Sequence, residues 1–298
     1  MKSENQLTFV SSRGILKSCN VCDIKPVSSS KNLSYDYRDI KQGDVVYGCS
    51  SAILEIKKLV KNLTCSIVLV TGDSDNDILG DSFLDKKEFI EFIENDSIIH
   101  WYSQNCTFRH PKLSPIPIGL DYHTLTRGPH SWGPRMTPEQ QEVELMQIRD
   151  KAKPFWEREP AYCYANFHFL MTTRYGIDRR EAVRLIPNHL VYYEVGKITR
   201  KRTWEKQAQF AFVISPHGNG YDCHRTWEAL CLGCIPIVKS SPIDALFEDL
   251  PVMIVENWNE VTAEKLKSVL SDFKNRKFNF NKLYMKYWVD KIHSLVVS

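Results

Sequence analysis

Residues 210–239 read FAFVISPHGNGYDCHRTWEALCLGCIPIVK: an apolar run, a turn with two glycines, a helix-length segment and a second apolar run. This is the strand–loop–helix–strand order of nucleotide-binding α/β folds, in which ligand phosphates meet the backbone at the helix start. Gly218 and Gly220 carry no Cβ, so the turn Ser215–Gly220 can bring main-chain N–H groups close to an anion. On a helix over 222–232, Cys223, Trp227, Leu230 and Cys231 fall on one face and form a core stripe. Arg225 and Glu228, three residues apart, share the other face.

Two readings of that pair stay open at this level. One is an i,i+3 ion pair worth a few tenths of a kcal/mol. The other sets Arg225 against a diphosphate, which its planar fork suits, and Glu228 against the two hydroxyls of a ribose.

Around this stretch the chain is ordinary for a globular protein. Of its 298 residues, 43% are hydrophobic and 25% charged, with a net charge of +3. No Lys/Arg run is long enough for a nucleic-acid footprint, so no nucleic-acid partner is expected. No stretch approaches the ~18 apolar residues of a membrane span, and MKSENQLTFVSSRG lacks the apolar core of a signal peptide. Nine cysteines, several in apparent core segments, fit free thiols in a reducing compartment, and a cytoplasmic location is expected. Cys19/Cys22 and Cys231/Cys234 have the spacing of a zinc site, but the second pair lies in an apolar helix-to-strand segment, where buried cysteines are common.

Working outward, the first forty residues are polar and read as a loose arm or irregular edge. From Val45 a β-α-β-α-β order appears: strand at 45–47, helix 52–60, the continuous apolar strand SIVLVT at 66–71, helix 85–94 and strand 97–101. Pro115 and Pro117 restrict the next segment to an edge. Thr137 and Gln140 make a capping box that opens a helix to about 152. Two prolines within 153–160 read as a connection, and a second alternating series follows.

The segment SPHGNGYDCHRTWEALCLGCIPIVKSS, Ser215–Ser241, closely resembles the C-terminal motif of exostosin-type glycosyltransferases (glycosyltransferase family 47), with an Arg-x-x-Glu-Ala helix followed by Gly-Cys-Ile-Pro. Weaker similarity extends to Asn166–Phe169, Thr173–Gly176 and Pro115–Gly119, and the chain is similar to the short stand-alone forms of large algal viruses. The resemblance implies an α/β GT-B fold, two Rossmann-like doubly wound domains facing across a cleft. The expected division is residues 1–155 on the acceptor side, 156–275 for the nucleotide sugar, and a C-terminal helix within 276–298 packing back on the first domain.

It further implies an inverting transfer of a sugar, xylose as first choice, from a UDP-sugar donor to a glycan or glycoprotein acceptor. Arg225 and Glu228 would hold diphosphate and ribose, with His217, Gly218, Asn219, Gly220 and Arg174 beside them. A general base must take the acceptor proton. Asp73 and Asp75, after SIVLVTG, are its first candidates and Asp121 the next, with Asp121 and His123 on the acceptor side. Asp73-Ser74-Asp75 also has an Asp-x-Asp metal-binding form, but in a GT-B enzyme an arginine and a helix dipole replace the metal, so no cofactor is required. The competing reading is a catalytically inactive glycan- or nucleotide-binding module of the same fold.

Overall fold

The structure is a computed structural model that describes residues 3–158, 162–167, 169, 171–194 and 196–296. These fall into two compact units, one formed by residues 3–118 with the chain from Tyr284 onward, the other by Gly119–Leu283. The first boundary thus lies at Gly119, a residue with φ of 61°, and the helix opened by Thr137 belongs with the later unit.

In the first unit, α1 (Ser12–Ser18) precedes β1 (Val45–Cys49), α2 (Ile53–Asn62), β2 (Ile67–Gly72), α3 (Lys86–Ile93), β3 (Ile98–Ser103) and β4 (Leu113–Pro115). The strands form one parallel sheet in the order β1-β2-β3-β4. Every residue of β1 and β2 is buried, as expected of parallel strands covered on both faces. The helix Met285–His293 packs into this unit through Met285, Trp288 and Ile292, and Tyr102 donates to the Lys291 carbonyl at 3.1 Å.

The N-terminal forty residues are not a loose arm; in part they form the irregular edge, the other expectation. Phe9, Val10, Ile15 and Leu16 are buried, Phe9 bridges to Tyr284, and Val21 adds beside Val46. The apolar residues there keep no sustained helical or alternating period, so their packing is not readable from sequence.

The second unit runs α4 (His123–Arg127), α5 (Pro138–Lys151), β5 (Cys163–Ala165), α6 (Gly176–Leu185), β6 (Val191–Tyr193), α7 (Arg200–Gln207), β7 (Phe212–Ile214), α8 (His224–Cys231), β8 (Ile235–Lys239), β9 (Met253–Val255) and α9 (Ala263–Asn275). The capping box at Thr137 and Gln140 is present. Its five strands are parallel in the order β6-β5-β7-β8-β9. The chain steps from β5 to one side, then returns to the other side with β7. In such sheets ligands bind beyond the carboxyl ends of the strands where the order reverses. The loops after β5 and β7 lie at that point.

Helix α8 has defined ends. Gly233 has φ of 69°, its N–H bonds to the Leu230 carbonyl and the Cys234 N–H to that of Ala229. This double bond pattern around a left-handed residue is a Schellman stop, and it explains the glycine in Leu-Gly-Cys. Beneath the sheet edge, Asp178 of α6 accepts from the Trp258 indole at 2.6 Å and from the His217 backbone N–H at 2.8 Å. Trp258 is fully buried. Trp258→Phe keeps an aromatic ring but removes the indole N–H and part of the ring volume, leaving a buried carboxylate short of a donor. It is expected to lower unfolding free energy by about 1.5–3 kcal/mol, read as a lower urea midpoint for the transition that reports this unit.

Candidate functional site

The loop between β7 and α8 is fastened from several sides. Besides its bond to the His217 N–H, Asp178 lies 3.3 Å from His217 Nδ1. Arg179 Nε donates to the His217 carbonyl at 3.1 Å. Arg225 Nη2 donates to the Pro216 carbonyl at 2.7 Å and its Nε to Ser215 Oγ at 3.3 Å. The loop after β5 joins it, with Tyr175 N–H to the Gly218 carbonyl at 3.1 Å and Arg174 N–H to Asn219 Oδ1 at 3.2 Å. Phe167, from the same loop, places its ring 5.5 Å from the Arg225 guanidinium.

Gly218 acts differently from the sequence expectation. The Gly218 N–H is taken by the Gly220 carbonyl at 3.0 Å. A Cβ on Gly218 would come within 3.1 Å of Arg179 Nη2. Gly218 therefore makes room for an arginine. Burial lowers the Arg225 pKa, and the like charge of Arg179 acts in the same direction. Two arginines set near each other around one loop favour an anion between them. Burial also lowers the pKa of His217, against the raising effect of Asp178.

Arg225 and Glu228 do not pair with each other. Glu228 turns to a second cation, Arg200, whose Nη2 lies 3.6 Å from Glu228 Oε1 and 3.6 Å from Asp121 Oδ2. Arg200 Nη1 also donates to Gln141 Oε1 at 2.8 Å and to the Asp121 carbonyl. Its guanidinium sits 5.1 Å from the Trp132 ring and 5.4 Å from that of Trp204. Trp132, from the loop between α4 and α5, thus packs on this arginine. Burial raises the Glu228 pKa, with Arg200 and His224 pulling the other way.

Asp121 and His123, expected on the acceptor side, belong to the same unit as Glu228. Both carboxylate oxygens of Asp121 accept from Thr124, from its N–H at 2.9 Å and its hydroxyl at 2.7 Å, and His123 Nδ1 lies 3.1 Å from Oδ1. Burial alone would raise the Asp121 pKa. His224, His123, Arg200 and the Thr124 N–H outweigh it and hold the carboxyl well below the ordinary carboxylate range.

Asp73 is placed in the first unit and is tied down on both oxygens. Oδ2 lies 3.2 Å from Arg13 Nη2, and Oδ1 accepts from Ser28 at 3.0 Å. Its φ of 53° is left-handed, a conformation Asp tolerates better than most residues. These contacts are those of a turn lock. Asp75 is exposed, so the Asp-x-Asp form divides into one buried and one exposed carboxylate. Among the described residues, no group of three or more His, Cys, Asp or Glu side chains is placed to hold a metal ion. Nor is any helix long and apolar enough to cross a membrane. The nine thiols are free, and Cys234 takes Arg158 Nη1 at 3.1 Å.

Sequence reading missed Arg200, Arg179 and His224. Arg200 was hidden in the basic run KITRKR, but Arg200, Trp204 and Gln207 recur at i, i+4, i+7 and are all buried on α7, the spacing that marks an inward face.

No protein-family model matches the chain, and no curated protein matches it. Among solved structures it is similar to an alpha1,3-fucosyltransferase, at 11% identity over 95% of each chain with a TM-score of 0.39. It is also similar to a structure described as trehalose-6-phosphate from E. coli bound with UDP-2-fluoro glucose, at 9% identity over 87% of this chain and 71% of that one, with a TM-score of 0.36. Likenesses this distant leave the chemistry to be read from the residues.

The depressed pKa of Asp121 ties stability to pH. Its carboxylate is stabilised in the folded state, so its contribution is present above the unfolded value of about 3.9 and is lost as pH falls toward the lower folded one. Asp121→Asn is expected to be less stable than the native chain at neutral pH. The gap should narrow steadily in urea titrations carried below about pH 4. A gap that stays constant with pH would contradict this.

Proposed function

We propose that the chain is a nucleotide-sugar-dependent glycosyltransferase of the exostosin type, with GT-B architecture, and that its second unit holds the donor. The observation that supports this most is the divergence of Arg225 and Glu228. An i,i+3 ion pair on a solvated face would join them. Instead Arg225 is drawn to the β7–α8 loop and Glu228 to Arg200, leaving a cationic end and an acidic end on one helix.

Three residues of α-helix rise about 4.5 Å, the scale that separates a nucleoside's ribose hydroxyls from its diphosphate. Both groups sit at the strand-order reversal, where open α/β sheets take their ligands. Cys223, at the N-cap of α8, makes no side-chain cap. The first-turn N–H groups thus add positive potential for a phosphate.

In this reading Arg225, with Arg179 behind it, neutralises the charge that develops on the departing diphosphate. Glu228 accepts from the ribose hydroxyls. A UDP-sugar is the proposed donor, xylose the first sugar to try, a glycan hydroxyl the acceptor, and inversion the stereochemical course. Asn219 and Arg174, at the exposed rim of the same loops, border the sugar side.

Calorimetric titration with UDP tests the donor site. Arg225→Gln is expected to weaken UDP binding by about 1.5–3 kcal/mol, roughly ten- to a hundredfold. Glu228→Gln is expected to narrow the preference for UDP over 2′-deoxy-UDP. A panel of UDP-xylose, UDP-glucose, UDP-galactose and UDP-N-acetylglucosamine, assayed for release of UDP, then identifies the sugar. UDP affinity unchanged by Arg225→Gln would sink the assignment. Glycan binding without turnover of any UDP-sugar would favour an inactive binding module.

A further inference from the structure

We infer that His224 is the proton acceptor of the transfer, a role that sequence reading gave to an aspartate. The inference rests on the donor-site reading above. His224 is the first residue of α8, directly before Arg225 and one turn before Glu228, so it shares a face with Glu228. Its Nδ1 lies 2.7 Å from the Gly119 carbonyl oxygen. A carbonyl only accepts, so the proton of the neutral ring is on Nδ1 and Nε2 carries the lone pair. The ring is half-buried, and Nε2 has no protein partner among the described residues.

Asp73 and Asp121 fit the task less well. Both oxygens of Asp73 are engaged by Arg13 and Ser28. Those of Asp121 are engaged by Thr124, with Arg200 alongside. A general base needs a free lone pair within reach of the acceptor proton, and imidazole is the side chain most often used for that task. The groups facing His224 are the carboxylates of Asp121 and Glu228, the His123 ring at 6.2 Å, and Arg200 between the two acids. The carboxylates stabilise the imidazolium as it forms.

The step balances. The acceptor oxygen forms its bond to the anomeric carbon while its proton passes to His224 Nε2. The bond from that carbon to the diphosphate oxygen breaks, and its electron pair leaves with UDP, whose charge Arg225 meets. In hydrolysis, water takes the place of the acceptor.

The test uses the full chain with two variants. His224→Asn keeps a donor for the Gly119 carbonyl and removes the titrating nitrogen, and His224→Ala removes both. With the UDP-sugar of the panel that is turned over, both should lower kcat by about 10²–10⁴-fold. UDP affinity should stay as in the native chain for both, and thermal unfolding should stay native in His224→Asn, whereas His224→Ala, which loses the Gly119 contact, should unfold at a lower temperature. The acid limb of the native kcat/KM profile should be absent from the residual activity of His224→Asn.

Native turnover in His224→Asn, or loss of UDP affinity in step with the rate, overturns the inference while leaving the donor site standing. A native chain that binds no UDP overturns both. Where UDP binds but no panel sugar is turned over, histidine nitrogen NMR decides. A ring protonated at Nδ1 whose Nε2 signal moves on adding UDP supports the role, and a ring protonated at Nε2, or an unmoved signal, removes it.

Discussion

Arg200 is the buried cation around which the second unit arranges its polar interior. Taking a guanidinium out of water costs several kcal/mol unless partners replace the solvent. The chain meets this with Asp121 and its carbonyl, Gln141 from α5 and Glu228 from α8. Two tryptophan rings flank the plane. The two acids are not served equally. Asp121 also has Thr124 and two imidazoles and stays ionised well below the usual range. Glu228 shares Arg200 at 3.6 Å, with His224 and the Trp204 indole also favouring its charge, yet burial outweighs them and raises its pKa. A carboxylate left short of donors is suited to accept hydrogen bonds from a ligand, and Arg200 keeps it from being an uncompensated buried charge.

The other half of the site is organised by a different acid. Asp178 joins the start of α6 to Trp258 and to the His217 N–H, and its neighbour Arg179 holds the His217 carbonyl. Successive residues of one helix thus clamp both polar groups of one loop residue. The loop's shape is set before any ligand arrives, which lowers the ordering cost of binding. This differs from a glycine-lined phosphate cradle: Gly218 gives its space to Arg179 and its N–H to Gly220.

Much of this was legible in the chain, and the limits have physical causes. Continuous apolar runs such as 67–72 announce parallel strands, because burial on both faces leaves no polar alternation. The α8 stripe and its glycine stop follow from helix periodicity and from the left-handed residue at Gly233. Arg225 and Glu228 were readable as a pair, but whether they met each other was not, since that depends on Arg200, 25 residues earlier. Asp73 looked catalytic because it follows a strand. Its engagement by Arg13 was unreadable, as the arginine lies in a segment whose apolar residues keep no sustained period that would reveal a packed helix. Asp121 looked like part of the first domain because chain order suggests it, and only the packing assigns residues from Gly119 onward to the other unit.

Placing a proton acceptor on α8 alters what the helix has to do. His224, Arg225 and Glu228 are then fixed relative to one another by backbone geometry, with the rise of about 1.5 Å and turn of about 100° per residue of any α-helix. In the proposed roles, proton acceptor, leaving-group cation and ribose acceptor would need no separate alignment. The helix must only be anchored at both ends. At its start the Gly119 carbonyl holds His224 and the indole of Trp227 bonds Asp222 at 2.8 Å. At its end the Gly233 stop fixes the last turn, and Trp227, Leu230 and Cys231 fill the core beneath it. A site built on a rigid element holds reacting groups more closely than one built on loops. The Asp73 carboxylate, locked to Arg13 and Ser28, then serves the integrity of the first unit.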